Sequence, residues 1–169
     1  YVDIARASGG HADKTNPHPD GKVPALVHDG ALITESSAIV QYLTDLFPEA
    51  GIGPRIGDPK RGPYLTWLAY YSGVIEPVVT IQFAGLGDNA DLARTFRGRA
   101  EMGQRLLSAL EKGPYLLGDT FSGADILVCS LGAWARDLLP KGEIMDAYLQ
   151  RCQSRPALKA AMAKDARPV

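Results

Sequence analysis

The Asp29-Gly30 dipeptide, set between two short apolar runs, constrains the fold more than any other feature of this sequence. A type I′ turn needs positive φ at both central positions, so this pair is a strong signal for a tight hairpin. Residues 25–27 and 31–33 are therefore predicted to be antiparallel strands. Val23 and Pro24 stand at the start of the first strand, where a proline is tolerated.

A helix is predicted directly after the second strand. Thr34, Glu35, Ser36 and Ser37 are residues that can begin a helix, and the apolar residues behind them recur at helical spacing: Ile39, Val40, Leu43, Leu46 and Phe47. Pro48 should end this helix. Because the first N–H groups of a helix lack internal partners and lie at the positive end of its dipole, this helix start is a candidate anion site.

The rest of the chain is predicted to be mainly helical. Residues 1–5 alternate like a short strand, and a Gly- and Pro-rich stretch over 51–59 indicates a linker. A long helix is expected over 60–84, with a kink at Pro77, and another from the polar residues 88–91 to residue 110. Helices over 126–138, 144–152 and 156–164 follow, and the first is apolar on nearly every side, which predicts a buried central helix.

Ser122 and Asp125 lie three residues apart just before that apolar helix. The pattern is a capping box, in which each side chain accepts a hydrogen bond from the other residue's backbone N–H. Asp125 could be taken for a catalytic carboxylate. The capping interpretation is preferred, because it explains both the position and the type of the residue.

Composition excludes several classes of function. The formal net charge of -1 gives no electrostatic footprint for nucleic acid or an anionic membrane. No stretch approaches the roughly 20 apolar residues of a membrane span. Cys129 and Cys152 lack metal-ligand or CxxC spacing, so we interpret them as reduced structural thiols of a cytoplasmic protein, and no metal site is predicted.

The sequence resembles the cytosolic glutathione S-transferases, of the bacterial type. The resemblance is carried by Gly21-Lys22-Val23-Pro24-Ala25-Leu26, by Leu32-Ile33-Thr34-Glu35-Ser36 with Ala38-Ile39 and Tyr42-Leu43, and by Tyr115-Leu116-Leu117-Gly118-Asp119 with Phe121-Ser122 and Ala124-Asp125. It implies an α/β plus all-α fold: a thioredoxin-like N-terminal domain over 1–50, incomplete here, a linker over 51–59, and an all-helical C-terminal domain over 60–169.

The resemblance also implies a glutathione site. It implies that the Val23-Pro24 bond is cis and that the Val23 backbone pairs with the cysteinyl backbone of glutathione. Ser36 would hold the γ-glutamyl carboxylate, Glu35 would face the ammonium, and Lys22 could reach the glycyl carboxylate. On the residues alone, Ser36 could equally be a helix cap and Glu35 a favourable charge at a helix N-terminus.

The sequence departs from the family in two places. The loop from Asn16 to Gly21 is two residues longer than usual, which leaves the role of Asn16 open, and His18 within it is interpreted as an inert surface residue. The family's first strand-helix unit, whose connecting loop supplies the Ser, Tyr or Cys that binds the glutathione sulfur, is not found. Residues 1–5 align best with the second strand, so the catalytic residue is unassigned and we expect the sequence to be incomplete rather than naturally truncated, because so small a sheet would be marginal.

The predicted function is therefore a glutathione transferase that conjugates glutathione, its co-substrate, to a small apolar electrophile in detoxification. The alternative is a binding or interaction module that keeps the fold without the chemistry. A cytoplasmic homodimer is expected, with neither nucleic acid nor membrane as partner. Its electrophile pocket is predicted to be lined by residues of the long helix: Trp67, Tyr70, Tyr71, Val74 and Pro77.

Overall fold

The computed structural model of the protein describes residues 14–165. Two strands and eight helices follow one another in this part of the chain: β1 (Ala25–His28), β2 (Ala31–Thr34), α1 (Ser36–Leu46), α2 (Arg61–Tyr70), α3 (Glu76–Phe83), α4 (Ala90–Thr95), α5 (Arg99–Leu110), α6 (Gly123–Trp134), α7 (Glu143–Gln153) and α8 (Pro156–Asp165). Short 3₁₀ turns lie over Pro48–Ala50 and Arg136–Leu138. The strand predicted over 1–5 lies outside the described residues.

The predicted hairpin is confirmed. β1 and β2 pair antiparallel, with Ala25 opposite Thr34. Asp29 and Gly30 have φ values of 49° and 79°, the positive angles that a type I′ turn requires. Each strand extends one residue beyond its predicted end.

Helix α1 packs directly onto helices α2 and α6. The hydroxyl groups of Thr44 and Tyr64 lie 3.0 Å apart in a buried hydrogen bond between α1 and α2. A Cβ atom on Gly123 of α6 would lie 2.4 Å from Val40 Cγ1 and 2.7 Å from Tyr64 Oη. Only glycine allows the three helices to approach this closely, so the hairpin and α1 are held against the helical part of the molecule.

An ion pair closes the segment between α1 and α2. The Arg61 guanidinium donates to both carboxylate oxygens of Asp45, at 2.6 and 2.9 Å, and to the carbonyl oxygen of Pro54 at 2.9 Å. The hydrogen bond from Arg61 lowers the pKa of Asp45 below its ordinary value, although burial opposes this. The predicted linker is therefore tied to the start of α2.

The long helix predicted over 60–84 is confirmed as a continuous helical run over 61–83, and its irregularity is a π-helical turn that ends two residues before Pro77. A π-helical turn over Tyr71–Ile75 separates α2 from α3. Such a turn holds one residue more than an α-helical turn. Pro77 follows directly, and since the backbone before it is already helical, its missing N–H leaves a carbonyl oxygen of the π-helical turn without that donor.

The single helix predicted from residue 88 to residue 110 is wrong. Asn89 caps α4 as expected, its Oδ1 accepting from the N–H groups of Asp91 and Leu92 at 3.0 and 3.1 Å. The chain then turns extended at Phe96, and Gly98 begins α5 as its N-cap. Glycine carries a large entropic cost inside a helix, which favours a break at this position.

The main core lies among the helices, and its largest fully buried side chains include Tyr64, Ile75, Met102, Leu106, Leu131, Met145 and Tyr148. The capping box at the start of α6 is confirmed, with Ser122 and Asp125 each accepting from the other's backbone. As predicted for a central helix, α6 packs against α1, α2 and α7, but it is not buried all round. Ile126 is 40% and Trp134 is 54% exposed, so α6 has one solvent-facing side.

Candidate functional site

The open end of the hairpin brings the predicted glutathione-site residues together. Since β1 begins opposite the last residue of β2, the residues just before β1, Val23 and Pro24, lie at the same end of the sheet as Glu35 and Ser36, which follow β2. The Val23-Pro24 peptide bond is cis, as the resemblance implied. Lys22 is the next residue towards the N-terminus and is exposed.

The backbone of Val23 faces solvent. Its side chain is 67% exposed, and within residues 14–165 its N–H and C=O take part in no backbone hydrogen bond. The preceding loop is held by Asn16, whose Nδ2 donates to the Lys22 carbonyl oxygen at 3.1 Å and whose Oδ1 accepts from the His18 N–H at 2.9 Å. Asn16 therefore positions the backbone immediately before Val23.

His18 is not the surface residue that the sequence suggested. It is only 9% exposed, and its Nδ1 accepts a hydrogen bond from the Asp20 N–H at 3.0 Å. The hydrogen bonds of its backbone N–H and of its ring both go to residues of the same loop. The residue shapes the loop, and its role is structural.

Glu35 has an unusual backbone conformation. Its φ is 66°, in the left-handed region that residues other than glycine seldom occupy. It is the N-cap of α1, yet no side chain caps the helix there. Backbone strain of this kind clusters at ligand sites, because the surrounding structure must hold it in place.

The start of α1 therefore carries unpaired backbone donors. Ser36 is the first residue of the helix rather than its cap, so its hydroxyl is not accounted for by capping. The following Ser37 is used structurally: its Oγ donates to the Leu68 carbonyl oxygen at 2.9 Å and lies 2.5 Å from Ser72 Oγ. These contacts anchor the helix start, with its positive dipole end, on α2 and the π-helical turn.

Glu76 adds an acidic group that sequence reasoning missed. Burial raises its pKa, and the Glu35 carboxylate nearby raises it further, while a hydrogen bond from Tyr71 opposes the shift. Burial and the Glu76 charge together raise the pKa of Tyr71 to about 12. The carboxylates of Glu35 and Glu76 are therefore close enough to repel each other. The sequence does contain a signal for this group, because Glu76 is a lone charged residue in an otherwise apolar part of the long helix.

The three aromatic residues of the predicted pocket wall are almost fully buried. Trp67, Tyr70 and Tyr71 are 8%, 5% and 4% exposed and belong to the helical core. Two exposed aromatic residues lie further along: Phe83 at the end of α3 and Trp134 at the end of α6 are 62% and 54% exposed, with ring centroids 6.0 Å apart.

The two cysteines approach each other across α6 and α7. A hydrogen bond with the Cys129 thiol, together with burial, raises the pKa of Cys152. The same bond holds the pKa of Cys129 below its ordinary value, although burial opposes this. Residues 14–165 contain no group of three or more His, Cys, Asp or Glu side chains arranged to hold a metal ion. In the same range no helix combines the length and apolar character that crossing a membrane demands.

Comparison with known proteins finds similar chains over most of this sequence. A model of the glutathione S-transferase N-terminal domain matches residues 8–51, which include all five predicted site residues. Glutathione S-transferase PM239X14 of Arabidopsis thaliana is 30% identical over 91% of this chain and 72% of its own length. A glutathione transferase structure from Methylococcus capsulatus aligns with a TM-score of 0.68 and 34% identity, over 86% of this chain and 74% of that one.

The chain belongs to the glutathione S-transferase family. Its fold is the family's, a thioredoxin-like N-terminal domain followed by an all-helical domain. Glutathione S-transferase GstA of Escherichia coli O157:H7 is 28% identical over 88% of this chain and 76% of its own length, in agreement with the bacterial type.

One relative is described by a different activity. Protein LigF of Sphingobium sp. strain SYK-6 is 51% identical to this transferase-family chain, but over only 51 residues, which are 30% of this chain and 20% of LigF. The structure of LigF, described as a beta-etherase, aligns with a TM-score of 0.65 and 26% identity over 86% of this chain and 79% of that one.

Proposed function

We propose that this protein is a glutathione transferase whose glutathione site is formed by Lys22, Val23, Pro24, Glu35 and Ser36. The observation that carries the proposal is the meeting, at one end of the hairpin, of an unpaired Val23 backbone and an uncapped helix start. Glutathione is a peptide with carboxylate and ammonium ends, and it needs both kinds of partner.

Each part of glutathione has a counterpart in this arrangement. The cysteinyl backbone pairs with the Val23 N–H and C=O, as an added strand pairs with a sheet edge. The γ-glutamyl carboxylate accepts from the first N–H groups of α1 and from the Ser36 hydroxyl. Glu35 and Glu76 share the ammonium, which relieves the repulsion between their charges. Lys22 pairs with the glycyl carboxylate as a flexible point charge.

The co-substrate is proposed to be a small apolar electrophile that rests on Phe83 and Trp134. Phe83 comes seven residues after Glu76, so it lies on the same side of α3 and about 10 Å further along the axis. The exposed aromatic pair is therefore near enough to the proposed glutathione site to hold an apolar group beside the thiol.

The test is the affinity for glutathione by isothermal titration calorimetry, with Ser36→Ala and Ser154→Ala as a matched pair. Ser154 is exposed and its hydroxyl bonds only to the Arg151 carbonyl oxygen, so Ser154→Ala should leave affinity unchanged. Ser36→Ala removes a hydrogen bond to a charged group and should weaken binding about tenfold. Equal affinities of the two variants would remove Ser36 from the γ-glutamyl site.

A binding or interaction module is the second candidate, because the residues described here supply no assigned partner for the glutathione sulfur. The two functions differ in the state of the bound thiol, since transferases stabilise the thiolate that free glutathione hardly forms at neutral pH. The ultraviolet absorption band of the thiolate at pH 7 separates them. Tight binding without that band would favour the module.

Ether cleavage is a candidate reaction on account of LigF. The high identity to LigF over 51 residues favours a β-ether as one electrophile to assay beside a simple apolar halide. Turnover of the β-ether alone, with the halide inert, would identify the protein with that chemistry. Turnover of the halide alone would favour general detoxification.

The remaining proposals concern the setting of this activity. The protein is proposed to act in the cytoplasm as a homodimer, as the family generally does, without nucleic acid or membrane as partner. Its domain boundaries are proposed to follow the linker over 51–59. Sedimentation equilibrium would test the dimer.

A further inference from the structure

The two cysteines of the chain are far apart in sequence but are brought together by the packing of α6 against α7. Cys129 lies in the middle of α6, and Cys152 lies in the last turn of α7. Their thiol groups share a hydrogen bond. The chain contains no third cysteine. Packing alone does not require the two thiols of a chain to meet, so we asked what this pair could do chemically.

The contact between the two helices is a close one at this level. A Cβ atom on Gly132 of α6 would lie 2.9 Å from Leu149 Cδ2 of α7, so glycine allows the approach. Cys129 comes three residues before Gly132, and Cys152 comes three residues after Leu149. The thiols therefore lie about one turn away, on the same faces of the two helices. A disulfide bond needs Cα atoms about 4.4–6.8 Å apart, a separation that closely packed helices can reach.

The two thiols differ in their access to solvent. Cys152 is 1% exposed. Cys129 is only half-buried, and it lies on the side of α6 that also carries the exposed residues Ile126 and Ser130. A reagent in solution can therefore reach Cys129 but not Cys152. Redox-active cysteines are typically accessible thiols with a second thiol beside them.

The surroundings of Cys129 favour its thiolate form. The hydrogen bond from Cys152 lowers the pKa of Cys129 and the Arg155 guanidinium lowers it further, while burial and the Asp125 carboxylate oppose the shift. Arg155 is held in place by the Phe121 ring, whose centroid lies 3.6 Å from the guanidinium carbon. The pKa of Cys152 is raised by the same hydrogen bond and by burial. Since the thiolate is the nucleophile, Cys129 is the attacking thiol of the pair.

We propose that Cys129 and Cys152 form a modification site, at which a low-molecular-weight disulfide such as glutathione disulfide oxidises the pair to an intramolecular disulfide bond. The Cys129 thiolate attacks one sulfur of the reagent, whose S–S bond breaks, and the released thiolate takes up the proton that Cys129 had lost. The Cys152 thiol then gives up its proton and attacks the Cys129 sulfur, which releases the second small thiol. Two protein thiols are oxidised, and one disulfide is reduced to two thiols.

This site is separate from the proposed glutathione site and does not depend on it. It is formed by α6 and α7, whereas the other site lies at the hairpin end and the start of α1. Both steps are reversible, so an excess of reduced glutathione returns the pair to two thiols. The pair therefore responds to the ratio of disulfide to thiol around it. Disulfides in reducing compartments are usually transient ones of this kind.

The experiment treats the full chain with an excess of glutathione disulfide, blocks the remaining thiols with N-ethylmaleimide and measures the intact mass. The expected product has lost two hydrogen atoms and carries neither glutathione nor maleimide. A peptide map should join the peptide of Cys129 to that of Cys152, and an excess of reduced glutathione should restore both thiols. A chain with two glutathione adducts, a disulfide between two chains, or two thiols that stay free would overturn the proposal.

Cys152→Ser and Cys129→Ser form a matched pair that tests the order of attack. Cys152→Ser should stop after the first step with one glutathione on Cys129, because no thiol is left to displace it. Cys129→Ser should keep the Cys152 thiol free, because that residue is buried. The time course of the unmodified protein gives the same test without a substitution. Its transient glutathione adduct should map to Cys129, and an adduct on Cys152 would contradict the assigned roles.

Two controls test the independence of the site and the role of its cation. Bis(2-hydroxyethyl) disulfide lacks the charged ends of glutathione and should give the same protein disulfide. A reaction confined to glutathione disulfide would make the pair dependent on the glutathione site, against the proposal. Arg155→Met should slow the first step about two- to fivefold, because it removes the cation beside the thiolate. Arg94→Met, at an exposed position on α4, should leave the rate unchanged, and equal rates in both variants would contradict the role of Arg155.

Discussion

Replacing Asp125 with alanine tests how much of the stability of the helical domain rests on a single buried carboxylate. Asp125 is completely buried and accepts four hydrogen bonds. Oδ2 accepts from the Ser122 N–H at 2.8 Å and from the Ser122 hydroxyl at 3.0 Å. Oδ1 accepts from the Leu116 N–H at 3.0 Å and from the Tyr148 hydroxyl at 3.2 Å. The carboxylate thereby joins the loop before α6 to helix α7.

The free energy lost in Asp125→Ala follows from which donors can find other partners. The two hydroxyl groups can rotate, but the N–H groups of Leu116 and Ser122 cannot, and both residues are buried, at 5% and 1% exposure. A stranded buried donor costs about 1–3 kcal/mol, so the two together lower the free energy of unfolding by about 2–6 kcal/mol. That is a large part of the roughly 5–15 kcal/mol that holds a typical domain folded.

Urea unfolding of Asp125→Ala, Tyr148→Phe and the double variant measures this loss. Tyr148→Phe removes one donor and leaves no donor stranded, so it should cost about 0.5–1.5 kcal/mol. In the Asp125→Ala background the Tyr148 hydroxyl has already lost its acceptor, so the second change should cost less than it does alone. Asp119→Ala, at an exposed position, is the control and should stay within about 0.5 kcal/mol of the parent.

An Asp125→Ala variant that loses less than about 1 kcal/mol would refute this reasoning. So would strict additivity with Tyr148→Phe, since it would show that the two side chains do not depend on each other.

Three further predictions concern other contacts. Asp45→Asn should lower the free energy of unfolding by about 0.5–1 kcal/mol at pH 7, because it breaks the exposed pair with Arg61. The pKa of Asp45 is lowered in the folded protein, so the difference in free energy of unfolding between Asp45→Asn and the parent should shrink as pH falls below about 4. Urea unfolding at pH 3 and pH 7 measures this difference, and an equal value at both would contradict the prediction. Gly123→Ala should lower the free energy of unfolding, measured by thermal unfolding, by about 1–3 kcal/mol, because the added methyl group overpacks the contact with Val40 and Tyr64. Gly62→Ala is the control, since its methyl group would meet open space and should not destabilise the protein. Similar losses in the two variants would argue against the close approach of α6 to α1 and α2. Phe83→Ala should raise the KM for an apolar electrophile about threefold to tenfold in steady-state assays without changing glutathione affinity, and an unchanged KM would place the electrophile elsewhere.

The elements that could be predicted from the sequence are those with local signals. Asp29-Gly30 specifies its turn through backbone angles alone, and Ser122 with Asp125 specifies a helix start through four consecutive residues. The end of α1 was likewise predictable from a local signal, the proline at position 48. Such features depend on a few neighbouring residues, so tertiary packing has little chance to override them.

The features that escaped prediction depend on how helices face one another. Trp67, Tyr70 and Tyr71 are large and apolar, and the sequence does not say whether such a side chain fills a core or lines a pocket. A cleft beside α2 joins Pro63 and Trp67 with Arg105 and Lys112, about 40 positions later, so no spacing rule could reveal it. For the candidate glutathione site, the sequence alone predicted the helix start, and the resemblance implied which residues contact glutathione. The position of Glu76 near Glu35 could be recognised only in the folded structure.

The π-helical turn over Tyr71–Ile75 has a consequence for how this helix can change. One additional residue in a turn rotates everything beyond it by about 100° relative to a continuous α-helix. The direction in which Glu76 and Phe83 point is therefore set by the number of residues in the turn and not by their own local sequence. Deleting one residue there would turn the whole of α3 by about 100°, moving part of its buried side towards solvent, while α2 stayed in register with the core.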